Sequence, residues 1–235
     1  MVQLSPARNN FFMNKPASDL AVTSKVSPWF SSLAYPLGSR VILPLFFGKI
    51  EISGQEHIPQ DGPLIIAPTH RSRWDAFIVP YSVGKLVSGR ELHFMVSLDE
   101  MQGIQGWFIR RFGGFPVDTR NPSISTVRHS VELLASGKTL VVFPEGGIFR
   151  DKTIQPLKEG LGRIALQAKS YRQDKSVKII PLSLRYSQEI PTWGCDIKAD
   201  IGKPIDTVDY AGLSTKRGAK QLMTDLEVAL KKLHD

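Results

Sequence analysis

The chain has 235 residues, 42% of them hydrophobic and 22% charged, with a formal net charge of +8. This composition excludes a disordered chain and a disulfide scaffold: a single core can form without staples, and Cys195, the sole cysteine, has no partner within the chain. The positive balance favours anionic partners such as lipid headgroups, acidic carrier proteins or phosphorylated substrates. No interleaved basic and aromatic pattern points to nucleic acid, which is therefore set aside as a partner.

Residues 1–26 are polar and mixed, interrupted by Pro6 and Pro16, and read as a mobile tail. They hold no uninterrupted apolar core of a secretory signal, but Arg8, Lys15 and Lys25 against Asp19 as the only acid leave a plastid or other organelle address open. Residues 27–49 read as a membrane-associating helical segment. The apolar run there is divided by Pro36, Gly38, Arg40 and Pro44, so it falls short of the roughly 18 consecutive apolar residues that span a bilayer. Trp29, Phe30 and Tyr35 with Arg40 and Lys49 suit a segment lying at or dipping into a membrane interface. A buried helix hairpin packed on the core fits the same pattern.

Residues 50–235 read as one domain. Strands are expected at Ile50–Gly54, Leu64–Ala67, Leu92–Val96, Phe115–Val117, Thr139–Phe143, Val177–Pro181 and Lys198–Ile201, from short β-rich runs bounded by turn residues. Helices are expected at Arg73–Leu86, Ser123–Ser136, Leu157–Ala168 and Lys216–Leu233; the second has Val127, Val131 and Leu134 on one face and Gly137 just past its end. The alternation predicts an α/β fold, a mixed and mainly parallel sheet flanked by helices.

Four segments carry the chemistry. In GPLIIAPTHRSRWDAF a buried strand ends at Pro68, followed by His70 and, five positions on, Asp75. If Ser72 caps the next helix, Asp75 falls in its first turn and can fold back onto His70. A carboxylate on one imidazole nitrogen fixes the tautomer and leaves the other nitrogen to take a proton from a hydroxyl. The same Ser72 and Asp75 also make a plain capping pattern. In FGGFPVDTRN a glycine pair leads to Arg120, whose planar fork suits a phosphate, although the segment by itself reads first as a surface turn with a solvated Arg. In TLVVFPEGGIFR an apolar strand runs into Glu145, Gly146 and Gly147, where glycine-turn amides can meet an oxyanion and Glu145 can orient a substrate group, hold a neighbouring Arg or stay exposed. Downstream, Lys158 and Gly160 open a helix whose start is a candidate anion site. The fourth, VKIIPLSLRY, reads as a core strand broken by Pro181. His57, His93, His129 and His234 are scattered without ligand-type spacing, so no metal is expected.

Together these blocks resemble the glycerolipid acyltransferase family, and most closely its 1-acylglycerol-3-phosphate O-acyltransferases, over roughly residues 40–205. His70 and Asp75 match the family's His-x4-Asp block, Arg120 its phosphate-binding Arg, Phe143–Gly146 its Phe-Pro-Glu-Gly, and Pro181 its apolar Pro block. The resemblance implies that 50–235 is an acyltransferase domain. It also implies that His70 and Asp75 are catalytic, and that Arg120, Glu145, Gly146, Gly147, Arg150 and Lys158 are substrate-binding. The implied donor is acyl-CoA or acyl-carrier protein, the acceptor a lysophospholipid giving phosphatidic acid, and the location a membrane surface on the cytoplasmic face, with no cofactor. Thr69, Thr119 and the Gly147–Arg150 stretch depart from the family pattern; these departures bear on the acceptor more than on the reaction, and Arg71 and Arg73 are further phosphate candidates. Glycerol 3-phosphate or another lyso-lipid as acceptor and a non-catalytic membrane-binding relative are the alternatives. A hydrolase is disfavoured because the G-x-S-x-G nucleophile pattern is absent.

Overall fold

The computed structural model describes residues 22–24, 26–27, 29, 35–171 and 176–235. Most of the tail and Phe30 of the interfacial segment lie outside the described residues. The described end of the tail is docked: Val26 bridges Phe112, Ser27 N donates to the Arg111 carbonyl at 3.0 Å, and the Ser24 hydroxyl lies 2.9 Å from His93 Nδ1 and 3.0 Å from His129 Nε2. Two histidines far apart in sequence thus meet at one serine. Burial, with Lys138 adding to it, pushes His93 down to about 4, so this contact is made by a neutral ring at neutral pH. Among the described residues no group of three or more His, Cys, Asp or Glu is placed to hold a metal.

Eight strands form one sheet: β1 (Ile50–Ser53), β2 (Leu64–Pro68), β3 (Leu92–Ser97), β4 (Gly114–Val117), β5 (Thr139–Val141), β6 (Lys178–Tyr186), β7 (Ile197–Ile201) and β8 (Ile205–Asp206), in the order β1-β7-β6-β2-β5-β3-β4 with β8 beside β6. The five neighbours β6, β2, β5, β3 and β4 run parallel, and β7 is antiparallel to β6. β2 is buried along its whole length because both faces are covered. Its alternate residues serve two cores: Leu64 and Ile66 face the helical segment 35–46 and the helix after His70, whereas Ile65 and Ala67 face the three later helices. Edge strand β1 instead alternates half-buried Ile50 and Ile52 with exposed Glu51 and Ser53.

On the first face lie α1 (Leu43–Phe46), preceded by a π-turn at Gly38–Ile42, then α2 (Asp75–Val83) and α3 (Lys85–Ser88). No helix of the described residues is long and apolar enough to cross a membrane. The single helix expected over Arg73–Leu86 is two, because the chain opens to an extended conformation at Gly84, where a Cβ would lie 2.4 Å from the Pro80 carbonyl. α4 (Gly103–Arg111) follows β3 and was not foreseen; Gly103 and Gly106 weaken its helical signal, and Gly106 is needed because a Cβ there would lie 2.1 Å from the Met101 carbonyl. The other face carries α5 (Ile124–Ala135), α6 (Gly160–Tyr171) and α7 (Thr215–His234). Ser123 caps α5 by accepting from Thr126 N, and Leu222, Leu226 and Leu230 of α7 are fully buried at helical spacing.

Pro181 does not break β6. Its carbonyl accepts from Gly202 N at 2.9 Å, so its nitrogen faces the gap between β8, which pairs at Lys178 and Ile179, and β7, whose last residue Ile201 lies opposite Leu182. No backbone donor is needed in that gap, and the strand runs on to Tyr186.

Candidate active site

The first three of the four blocks leave the carboxyl ends of β2, β4 and β5 on the same edge of the sheet, the place where open α/β sheets bind ligands. Past β2, Thr69 takes its place through its hydroxyl, which accepts from Leu184 N at 2.8 Å and ties the strand end to β6. The chain then bends through 70–74 into α2. Asp75, fully buried, turns back over this bend and accepts from Arg71 N at 2.6 Å and Ser72 N at 2.9 Å through Oδ2. The same oxygen is 2.8 Å from His70 Nδ1. The capping and the dyad readings of Asp75 are therefore one geometry: the carboxylate closes the start of the helix and holds the imidazole in the same act. With two backbone donors already on Oδ2, Nδ1 carries the hydrogen and Nε2 is left as the acceptor. The His70 ring stacks on Phe143, centroids 4.0 Å apart and planes 22° apart, and lines a cleft of about 2000 Å³.

Glu145 does not reach that cleft. Its side chain is wholly buried and accepts from Arg71 Nη1 at 2.9 and 3.0 Å, from His70 N at 3.1 Å and from Gln155 N at 3.0 Å. Of the roles open to it from sequence, it holds the neighbouring arginine; substrate binding and an exposed turn are both corrected. Arg71 in turn donates to the carbonyls of Phe149 and Thr153, so it is withdrawn from any phosphate. One buried ion pair thus ties the loop after β2 to the irregular loop that follows β5.

Gly146 has φ +76°, and a Cβ there would lie 2.4 Å from Cε of Lys158. The glycine lets the lysine stem cross the turn, and Lys158 Nζ then donates to the Thr119 carbonyl at 3.0 Å, beside Arg120. Arg120 is exposed and lines the cleft; its own backbone N–H donates to Asp118, and that bond, with a second from Asn121, lowers the Asp118 carboxyl below its ordinary value. The amide of Gly146 is occupied by the Phe143 carbonyl at 3.1 Å, which corrects its expected role toward an oxyanion. The amides of Gly147 and Ile148 donate to none of the described residues, and both residues line the cleft. Arg150 is exposed and away from the cleft, because Phe149 N is held by the His70 carbonyl at 2.8 Å and the chain turns outward after it. Arg73 lines the cleft but is paired with Glu100 at 2.8 Å.

The structure therefore gathers His70, Arg120, Gly146, Gly147 and Lys158 on one cleft, with Asp75 behind His70, and leaves Glu145 and Arg150 outside it. Beyond these residues the cleft is mostly apolar, walled in large part by Tyr35, Leu43, Phe77, Tyr81, Phe94 and Val96. Sequence reasoning missed Tyr186, at the carboxyl end of β6, whose hydroxyl donates to Asp75 Oδ1 at 2.7 Å. Its place as the last residue of an apolar strand run beside β2 was the available signal.

Residues 49–185 match the family model described as Acyltransferase. Over 200 residues the chain is 28% identical to a 1-acyl-sn-glycerol-3-phosphate acyltransferase of Bacillus subtilis, covering 83% of this chain and 93% of the relative. It is also 28% identical over 169 residues to the enzyme of that name from Streptococcus pneumoniae, covering 69% of this chain and 58% of the other. The crystal structure of the 1-acyl-sn-glycerophosphate acyltransferase from Thermotoga maritima shares the fold, with a TM-score of 0.62, 22% identity, and coverage of 85% of this chain and 77% of that one. With the family model spanning more than half of its length, the chain belongs to the acyltransferase family.

Proposed function

We propose that this acyltransferase moves a fatty acyl group from acyl-CoA or acyl-carrier protein to the free hydroxyl of 1-acyl-sn-glycerol 3-phosphate, giving phosphatidic acid. The observation that carries the reading is the placement of His70, its Nδ1 held by Asp75, on a cleft that is cationic at Arg120 and Lys158 and apolar beyond them. An amphiphile with a phosphate near its reactive hydroxyl matches that sequence of surfaces, and the volume exceeds the ~300–1,000 Å³ of ordinary small-molecule sites.

In the transfer, Nε2 of His70 takes the hydroxyl proton as the oxygen attacks the thioester carbonyl. The carbonyl electrons move onto its oxygen, which the amides of Gly147 and Ile148 stabilise. Collapse of the tetrahedral intermediate breaks the C–S bond, and the departing thiolate takes the proton back from His70. No acyl-enzyme forms. Arg120 and Lys158 hold the acceptor phosphate and so place the hydroxyl against the base. The Arg120→Ala variant is expected to raise KM for the acceptor about tenfold or more at nearly constant donor KM. Steady-state kinetics with each substrate varied in turn checks this, and an unchanged acceptor KM removes Arg120 from the role.

The protein is proposed to work on the cytoplasmic face of a membrane. Leu37, Phe77 and Leu86 are about half exposed on the rim of the cleft, with Val41, Leu45 and Arg40 nearby on the helical segment 35–46, a surface suited to the acyl boundary of a bilayer. The test is a mass-spectrometric product survey of the purified protein with oleoyl-CoA and with oleoyl-carrier protein. The acceptors are lysophosphatidate, glycerol 3-phosphate and lysophosphatidylcholine in mixed vesicles. Phosphatidic acid is expected as the main product; acylation of either other acceptor in preference overturns the assignment.

A further inference from the structure

Asp75 is fully buried and carries four hydrogen bonds, distributed unevenly. Oδ2 takes three, from His70 Nδ1, Arg71 N and Ser72 N, while Oδ1 takes one, from the Tyr186 hydroxyl at 2.7 Å. Tyr186 is half-buried and absent from the lining of the cleft that His70 faces; it approaches from behind, where its ring also packs beside Phe47 at 6.2 Å. It therefore touches neither substrate nor the reacting nitrogen.

We infer that Tyr186 is a positioning residue of the acyl transfer: its hydroxyl, by holding Oδ1, fixes the orientation of Asp75 and limits how strongly that carboxylate draws on the Nδ1 proton of His70. Two physical facts support this. Burial first, and the adjacent Asp75 second, push the Tyr186 phenol well above its ordinary value, so the hydroxyl stays protonated and donating wherever the enzyme works. A carboxylate shares its charge among its donors, so removing one donor concentrates the charge on those that remain. Without the Tyr186 hydroxyl, Asp75 stabilises the imidazolium of His70 more strongly, and the base is captured by a proton at a higher pH.

The experiment is the pH dependence of kcat/KM for the Tyr186→Phe variant beside the wild type, with thermal melting of both. The expected result is an acid limb displaced to higher pH. On the steep part of that limb the variant loses roughly three- to tenfold in kcat/KM beyond any change on the plateau. KM for both substrates on the plateau is expected to stay within about twofold. A limb that superimposes on the wild type overturns the inference, even if the variant is slower or less stable, since a purely structural role lowers the plateau or the melting temperature without moving the limb. Should Tyr186→Phe fail to fold, wild-type protein carrying 3-fluorotyrosine, a stronger donor, is expected to move the limb the other way, and an unmoved limb there overturns the inference as well. The inference rests on His70 being the base. Activity retained in His70→Ala removes that assignment, whereas an inactive His70→Ala beside an unmoved Tyr186→Phe limb removes the role of Tyr186 alone.

Discussion

Replacement of His70 by alanine is expected to lower kcat by about 10²- to 10⁴-fold, the usual loss for a general base, with the fold retained. The fold survives because the imidazole is not a structural anchor. Its backbone N–H still donates to Glu145, and Asp75 keeps the two backbone donors and the Tyr186 hydroxyl. What disappears is His70 Nε2, the nitrogen left free by the Asp75 contact to take a proton on the cleft side. Binding should change little, so kcat and kcat/KM are expected to fall together. Single-turnover assays with matched melting curves check this. A folded variant that keeps more than about a tenth of wild-type turnover shows that another group is the base.

The second large effect is on stability. Glu145→Ala is expected to cost about 3–5 kcal/mol, because it strands the guanidinium of Arg71, 5% exposed, with no countercharge. The same substitution also removes the acceptor for the His70 and Gln155 backbone amides. Activity should therefore fall along with stability, although Glu145 never meets the substrate. Urea unfolding measures the first, and the double variant Arg71→Met/Glu145→Leu separates the causes. Replacing both charges with apolar groups is expected to recover much of the stability, since the penalty belongs to the unpaired ion. A double variant as unstable as Glu145→Ala shows instead that the backbone bonds, not the ion pair, hold the loop.

The elements most legible in the sequence are those whose signal is local. β2 is a run of apolar residues ended by a proline, α5 has a serine cap and a glycine stop, and α7 repeats leucine at helical spacing. Where the reading departed from the structure, the decisive contact is distant in the chain. Pro181 looks like a strand breaker until β7 and β8 are seen to leave a gap opposite it. Glu145 looks like a turn residue until Arg71, 74 positions earlier, is seen against it. His93 and His129 are scattered until Ser24 stands between them. The site follows the same rule. The His70–Asp75 pairing was readable because five residues and one turn fix it, whereas the burial of Glu145, the outward turn of Arg150 and the arrival of Tyr186 depend on how separate loops pack. The resemblance to known acyltransferases pointed to these segments, but it could not say which of their residues line the cleft and which face one another.

The pinning of the loop after β5 has a consequence for how this enzyme can change. Its anchors are Glu145 against Arg71, Phe149 N against the His70 carbonyl and Gln155 N against Glu145. The tip at Gly147 and Ile148 hangs between those fixed points. Side-chain replacement at Ile148 is therefore expected to leave the His70–Asp75 pair in register, because the residues on either side of the tip are tied down independently of it. The backbone that would meet the reacting carbonyl is in this way braced from both ends by bonds in which its own side chains take no part.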